Sequence, residues 1–114
     1  MRNINTLIDK YPKLLGSLTF GIECGDGWFD LIDRLCKDIM RIDPTTVATQ
    51  VKEKFGTLRF YAATRHEIFD LIDKAEEESE TICEECGAPG KTEGTMWLKT
   101  ICKKCKKESK YYAD

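Results

Sequence analysis

The sequence contains one histidine, three prolines and no long apolar run. With His66 alone, the chain has no histidine-rich metal site and no His-Glu-x-x-His helix of the metallohydrolase kind. It also lacks a Gly-x-Gly-x-x-Gly turn and a phosphate-binding loop. Its acidic residues show no paired-carboxylate signature, since Asp30 and Asp33 fall on the polar side of an expected helix. The shortness of the apolar stretches excludes a membrane-spanning helix. The opening Met1-Arg2-Asn3-Ile4-Asn5 has no apolar region of the secretory type, so a cytoplasmic location is expected. Positive charge is not in excess either: 18 Lys and Arg face 20 Asp and Glu, a net charge of −2. This argues against a general nucleic-acid coat, whose affinity draws on a surplus of cations.

What remains is a soluble-type composition, 41% hydrophobic and 33% charged, in 114 residues. That length allows one small domain, or a domain with an appended module. A chain of this size buries only about 65% of its unfolded surface, so a covalent or metal staple adds needed stability. Six cysteines in a reducing compartment point to metal binding or thiol chemistry before disulfides.

Charge divides the chain near Cys83. Residues 1–82 carry 11 basic and 15 acidic side chains, and residues 83–114 carry 7 and 5. Four of the cysteines also lie from Cys83 onward. The expected organisation is therefore a small α+β domain over 1–82 followed by a four-cysteine module over 83–114.

Within the first part, Leu7, Ile8, Tyr11, Leu14 and Leu15 have helical spacing interrupted by Pro12. Residues 16–27 read as an irregular or extended connection, with Asp26 as the expected N-cap of the next helix. Trp28, Leu31, Ile32, Leu35, Cys36 and Ile39 form a continuous apolar stripe, which ends near Asp43-Pro44. Val47, Thr49 and Val51, then Leu58, Phe60 and Ala62, alternate around a break at Gly56 and predict an antiparallel hairpin. Ile68, Phe69, Ile72, Ala75 and Ile82 return to helical spacing over 66–82, running into Cys83. The expected fold is helices packed on a small antiparallel sheet.

Cys83, Cys86, Cys102 and Cys105 give the pattern Cys-x2-Cys-x15-Cys-x2-Cys. Each two-residue spacer lets one tight turn present two thiolates, and two such turns complete a tetrahedron around one zinc ion. Gly87 and Gly90 permit the turns, and Met96 to Ile101 is expected to be a strand returning the second pair. Two disulfides, unrelated buried thiols and an iron–sulfur cluster are the alternatives. Four thiolates leave no coordination position for water, so the ion is expected to be structural.

Residues 83–112 resemble the four-cysteine zinc-ribbon and treble-clef families, which implies that those four cysteines are the ligands. Cys86-Gly87 looks like the first knuckle of either family. The Lys-rich segment around Cys105 can form a helix, which leans toward the treble clef. Trp97 between the pairs is similar to GATA-type fingers, but the spacer is shorter and the arginines those fingers place on DNA are missing. Upstream, the segments 23–28 and 51–61 look like parts of small proteins of tailed phages and prophages, a likeness that implies a bacterial host cytoplasm and supplies no activity.

Three functional expectations follow from the residues. Lys99, Lys103, Lys104, Lys106, Lys107 and Lys110, with Trp97, are candidates for contact with a protein partner or nucleic acid, although the same lysines also offset the −2 charge of a zinc tetrathiolate. Arg59 and Tyr61 point outward on the hairpin as further candidates. Cys24, ahead of a helix N-terminus, is the one candidate for thiol catalysis, and it would need His66 as its base. The favoured expectation is a non-catalytic zinc-binding adaptor or inhibitor that recognises a macromolecule.

Overall fold

The computed structural model describes residues 3–108, so Lys110 lies outside the described residues. Helix α1 (Thr6–Lys10) and helix α2 (Pro12–Leu15) are the two halves of the interrupted N-terminal helix. Pro12 opens α2, where its missing amide hydrogen costs no hydrogen bond. Leu7, Leu14 and Leu15 are fully buried.

Strand β1 (Ile22–Glu23) leads through a tight 3-10 turn (Asp26–Trp28) into helix α3 (Phe29–Ile42). Asp26 is not the expected N-cap. Gly25 precedes the turn, and the Asp26 carboxylate accepts the amide of Ile4 at 2.8 Å, tying down the N-terminal segment. The stripe on α3 is buried as expected, through Leu31, Ile32, Leu35, Cys36 and Ile39.

Strand β2 (Val47–Lys54) and strand β3 (Thr57–Ala63) form the antiparallel hairpin. The sheet order is β1-β2-β3, and β1 pairs with β2 in parallel through Ile22 and Val51. The sheet is thus mixed where an antiparallel one was expected. Parallel neighbours need a long crossover, and α3 supplies it between β1 and β2. A register shift between Ala48 and Gln50 also changes which residues face inward. Ala48 and Val51 are buried and Thr49 is exposed, because the extra residue resets the alternation.

Phe55 and Gly56 form the two-residue turn of this hairpin, with φ of 55° and 85°. Two positive values make a turn of type I′, whose twist suits a hairpin and whose first position favours Asn or Gly. Phenylalanine there costs about 1 kcal/mol relative to those residues.

Helix α4 (His66–Ser79) buries Ile68, Ile72, Ala75 and Ser79, and packs beside α3 and against β3. It stops short of the expected end at Ile82, because Ile82 is extended and bridges Pro89. The helix also covers the open edge of β3. The Leu58 amide donates to Ser79 Oγ at 2.9 Å, and the Phe60 amide donates to Glu76 Oε2 at 3.0 Å. Side chains on α4 thus occupy donors that would otherwise be free to pair with another strand.

Burial holds the Glu76 carboxyl above its ordinary value of 4.5, against the lowering effects of the Phe60 amide and Arg59. A raised folded-state pKa means that ionising Glu76 opposes folding. This cost is absent below the unfolded value and appears as pH rises through the folded one. Glu76→Gln keeps an acceptor for Phe60 and removes the charge. It is expected to raise the melting temperature slightly at pH 7 and to leave it unchanged well below pH 4, as thermal scans across that range will show.

A second, two-stranded sheet pairs strand β4 (Lys91–Glu93) with strand β5 (Lys99–Ile101), and helix α5 (Lys103–Glu108) follows directly. The expected strand from Met96 to Ile101 is shorter, because residues 94–98 form the tip of this hairpin.

Candidate metal centre

The first cysteine pair sits in a loop closed on itself. The Cys83 amide donates to the Ala88 carbonyl at 2.8 Å, and the Gly87 amide donates to the Cys83 carbonyl at 2.9 Å. Gly87 has φ of 84°, the left-handed conformation that a glycine adopts without a Cβ penalty. The second pair flanks the start of α5, with Cys105 in its first turn. There the Cys105 amide donates to Cys102 Sγ at 3.4 Å. The β4–β5 hairpin carries the chain from one pair to the other.

The four sulfurs of Cys83, Cys86, Cys102 and Cys105 all lie within 4.8 Å of one another, and Cys86 Sγ is 3.7 Å from Cys102 Sγ. Four sulfurs at about 2.3 Å from one ion in a tetrahedron stand about 3.8 Å apart, close to the Cys86–Cys102 separation, so the cluster could hold one metal ion. A disulfide needs about 2.05 Å, and all six cysteines are free thiols. Cys83 is fully buried and Cys86 is exposed, so the centre has an inner and an outer side.

The thiols also share their protons. Cys102 is pulled down to about 7, first by the Cys105 amide on its sulfur and then by bonds from the neighbouring thiols. Burial and the other three sulfurs push Cys105 up.

The knuckle is anchored to residues far upstream. The Gly27 amide donates to the Glu84 carbonyl at 2.7 Å, the Gly25 amide donates to Glu84 Oε2 at 2.8 Å, and Trp28 Nε1 donates to the Ile82 carbonyl at 2.8 Å. Glu84 is 7% exposed, and burial raises its carboxyl against the lowering effect of the Gly25 amide. A Cβ on Gly27 would run into the Cys83 and Glu84 carbonyl oxygens, and one on Gly25 into the Glu84 carbonyl oxygen. The segment Cys24-Gly25-Asp26-Gly27-Trp28 therefore reads as a backbone cradle for the knuckle. The sequence reads this stretch as the end of an irregular connection, because nothing local marks a contact made almost sixty residues away. Gly27→Ala is expected to cost about 1–3 kcal/mol, as overpacking does, and to weaken metal retention. Urea denaturation and a chelator competition on one preparation will measure both.

The other expected site residues are distributed as follows. Lys99 is ion-paired with Glu85 at 2.5 Å, and Lys106 with Glu93. Lys103, Lys104 and Lys107 are exposed on α5, and Lys104 lines a hollow with Cys24, Cys86 and Cys105. Trp97 is 74% exposed at the hairpin tip. Arg59 lies half-buried in a hollow with Asp73, Glu76, Glu77 and Glu80. Tyr61 borders a different hollow with Phe20 and Glu23.

The structure does not bring Cys24 and His66 together. Glu23 pairs with Lys52, which places Cys24 near Glu53, whereas His66 follows the end of β3 that pairs with Val47. These ends of β2 are six residues, roughly 20 Å, apart. Burial pushes the Cys24 thiol up, and Glu84, Asp26 and Glu53 reinforce the shift, so the expected lowering by a helix terminus is reversed. Cys36 is likewise a buried thiol, held at about 12 chiefly by burial.

No helix among the described residues is long and apolar enough to cross a membrane. Comparison of the chain with protein-family models, with curated proteins and with solved structures finds no match.

Proposed function

We propose that this chain is a non-catalytic zinc-binding adaptor or inhibitor that recognises a macromolecular partner. The observation that carries the reading is the set of four thiols gathered within 4.8 Å of one another, with Cys86 and Cys102 at 3.7 Å. Zinc accepts four thiolates without geometric or redox demands, and four filled positions leave none for an activated water. An iron–sulfur cluster divides the four thiolates among two or four irons and so spreads the set further apart. The succession of knuckle, hairpin and helix is the one a treble clef uses, and Lys104 beside Cys86 and Cys105 compensates the net charge of a zinc tetrathiolate. The likeness of 23–28 and 51–61 to small phage proteins supplies a setting in which the partner is a host protein in the bacterial cytoplasm.

Elemental analysis of protein made in medium with balanced zinc and iron is expected to find about one zinc per chain in a colourless preparation. Visible thiolate-to-iron absorption, or a fully folded protein without metal, counts against the reading. Exposure of Lys103, Lys104 and Lys107 favours a second reading, nucleic-acid contact. Its mark is salt-sensitive binding lost when those lysines become alanine.

A further inference from the structure

A hollow of about 450 Å³ opens on the outer face of the three-stranded sheet. Glu23, Gln50 and Tyr61, which line it, are the sequence neighbours of the buried Ile22, Val51 and Phe60, so the pleat turns them to the opposite face. Phe20 reaches the same hollow from the loop before β1. The metal centre uses none of these residues.

Both walls are held in place. Gly21 has φ of 66°, and the Ile22 amide after it donates to Asn5 Oδ1 at 2.8 Å. A Cβ on Gly21 would stand 2.8 Å from that same oxygen, so the loop closes on Asn5 only with glycine there. Phe20 is thus presented by a tied-down loop and is still 77% exposed. On the other wall, the register shift between Ala48 and Gln50 sets Gln50 opposite Tyr61. Thr49 Oγ1 donates to the Tyr61 carbonyl at 3.3 Å, and Gln50 Nε2 donates to Glu23 Oε2 at 3.4 Å. Bulges of this kind re-aim side chains and recur beside functional sites.

Charge indicates what fits. Among the residues lining the hollow, Glu23 carries a negative charge and none carries a positive one. Lys52 is the register partner of Glu23 but does not line the hollow. Gln50 engages Oε2 of the carboxylate and leaves its other oxygen to a second donor. Two aromatic rings add faces that attract cations. A phosphate or a carboxylate would meet Glu23 here with no cation to offset it. Arginine uses every one of these features, because its guanidinium is flat, stacks on rings and presents paired N–H groups to a carboxylate.

We infer that Phe20, Tyr61 and Glu23 receive an arginine side chain of a partner protein, the rings against the guanidinium and the carboxylate against its N–H groups. This rests on the adaptor reading above in taking the arginine to belong to a protein. The preference of the hollow for a guanidinium follows from its own lining.

The test is titration of the blocked peptide acetyl-Ala-Arg-Ala-amide into the full-length, nitrogen-15-labelled chain as purified, followed by NMR. The same peptide with citrulline in place of arginine is the neutral isostere. Saturable shifts are expected at the amides of Gly21, Gln50 and Tyr61, with a Kd on the order of 10 mM or tighter. The citrulline peptide should bind at least about fivefold more weakly, and Glu23→Gln and Tyr61→Leu should each weaken the arginine peptide about three- to tenfold. Both side chains are exposed, so thermal melts of the variants should match the parent protein. No saturable shift up to about 50 mM, equal binding of the citrulline peptide, or unchanged affinity in both variants overturns the inference. So do shifts centred on the carboxylates of α4, and so does free arginine binding more tightly than the blocked peptide, which makes the hollow a small-molecule site. Metal content is measured on the same samples. A chain without metal that still binds the arginine peptide fails the adaptor reading and keeps the hollow, whereas a metal-loaded chain that ignores the peptide fails the hollow alone.

Discussion

Replacing Cys83 by serine is expected to abolish stoichiometric metal retention and to loosen the whole junction between the knuckle and the segment that cradles it. A serine hydroxyl does not ionise near neutral pH and is a hard oxygen where the site calls for a thiolate. If metal binding contributes on the order of 10–16 kcal/mol to a four-ligand site, losing one ligand removes roughly 3 kcal/mol, or about 150-fold in affinity. Cys83 is the severest of the four substitutions because it is fully buried, and the new hydroxyl must also be satisfied there. Cys86→Ser, on the exposed side, should lose metal with less damage to packing. Competition against a coloured chelator measures the affinity, and amide hydrogen exchange reports the junction. Gly25 and Gly27 should lose protection in Cys83→Ser, because their acceptors belong to Glu84. Unchanged metal content in this variant would remove Cys83 from the ligand set.

Trp28→Ala is expected to cost about 3–5 kcal/mol, a large part of the about 5–15 kcal/mol that holds a domain of this kind together. Trp28 is fully buried and is the bulkiest side chain in the core, and its indole also reaches the Ile82 carbonyl one residue before Cys83. Two terms are therefore lost together, the apolar contacts and the hydrogen bond. Trp28→Phe separates them. It keeps most of the bulk and leaves the Ile82 carbonyl without its donor, at a cost of roughly 1–3 kcal/mol. Urea denaturation of both variants, with metal content followed alongside, gives the two contributions. If Trp28→Phe matched the parent protein in stability and metal affinity, the indole bond would have no part in joining core and centre.

Much of this architecture was legible because its causes are local. The stripe from Leu31 to Ile39 repeats at the period of a helix, so its burial could be read from α3 alone. Pro12 marked the break between α1 and α2 through a missing donor. The four clustered cysteines were legible for a similar reason: a two-residue spacer within each pair is a constraint on one turn of chain. Strand pairing was less so. Nothing in Ile22-Glu23 announces a parallel partner, and the register shift after Ala48 moved the inward face by one residue. Alternation predicts a face only while the pleat is unbroken.

The amino-acid order alone determined where helices and the main hairpin form, which faces of the helices turn inward, and which four cysteines come together. Each of these follows from neighbours within one or two turns. Tertiary structure decided the rest: that Glu84, placed between two ligands, is buried against Gly25, that Trp28 serves the knuckle as well as the core, that Cys24 is far from His66, and that Phe20 and Tyr61 line one hollow. These are pairings across roughly forty to sixty positions of chain. Such contacts are chosen by how complete elements pack against one another, and no local pattern encodes them.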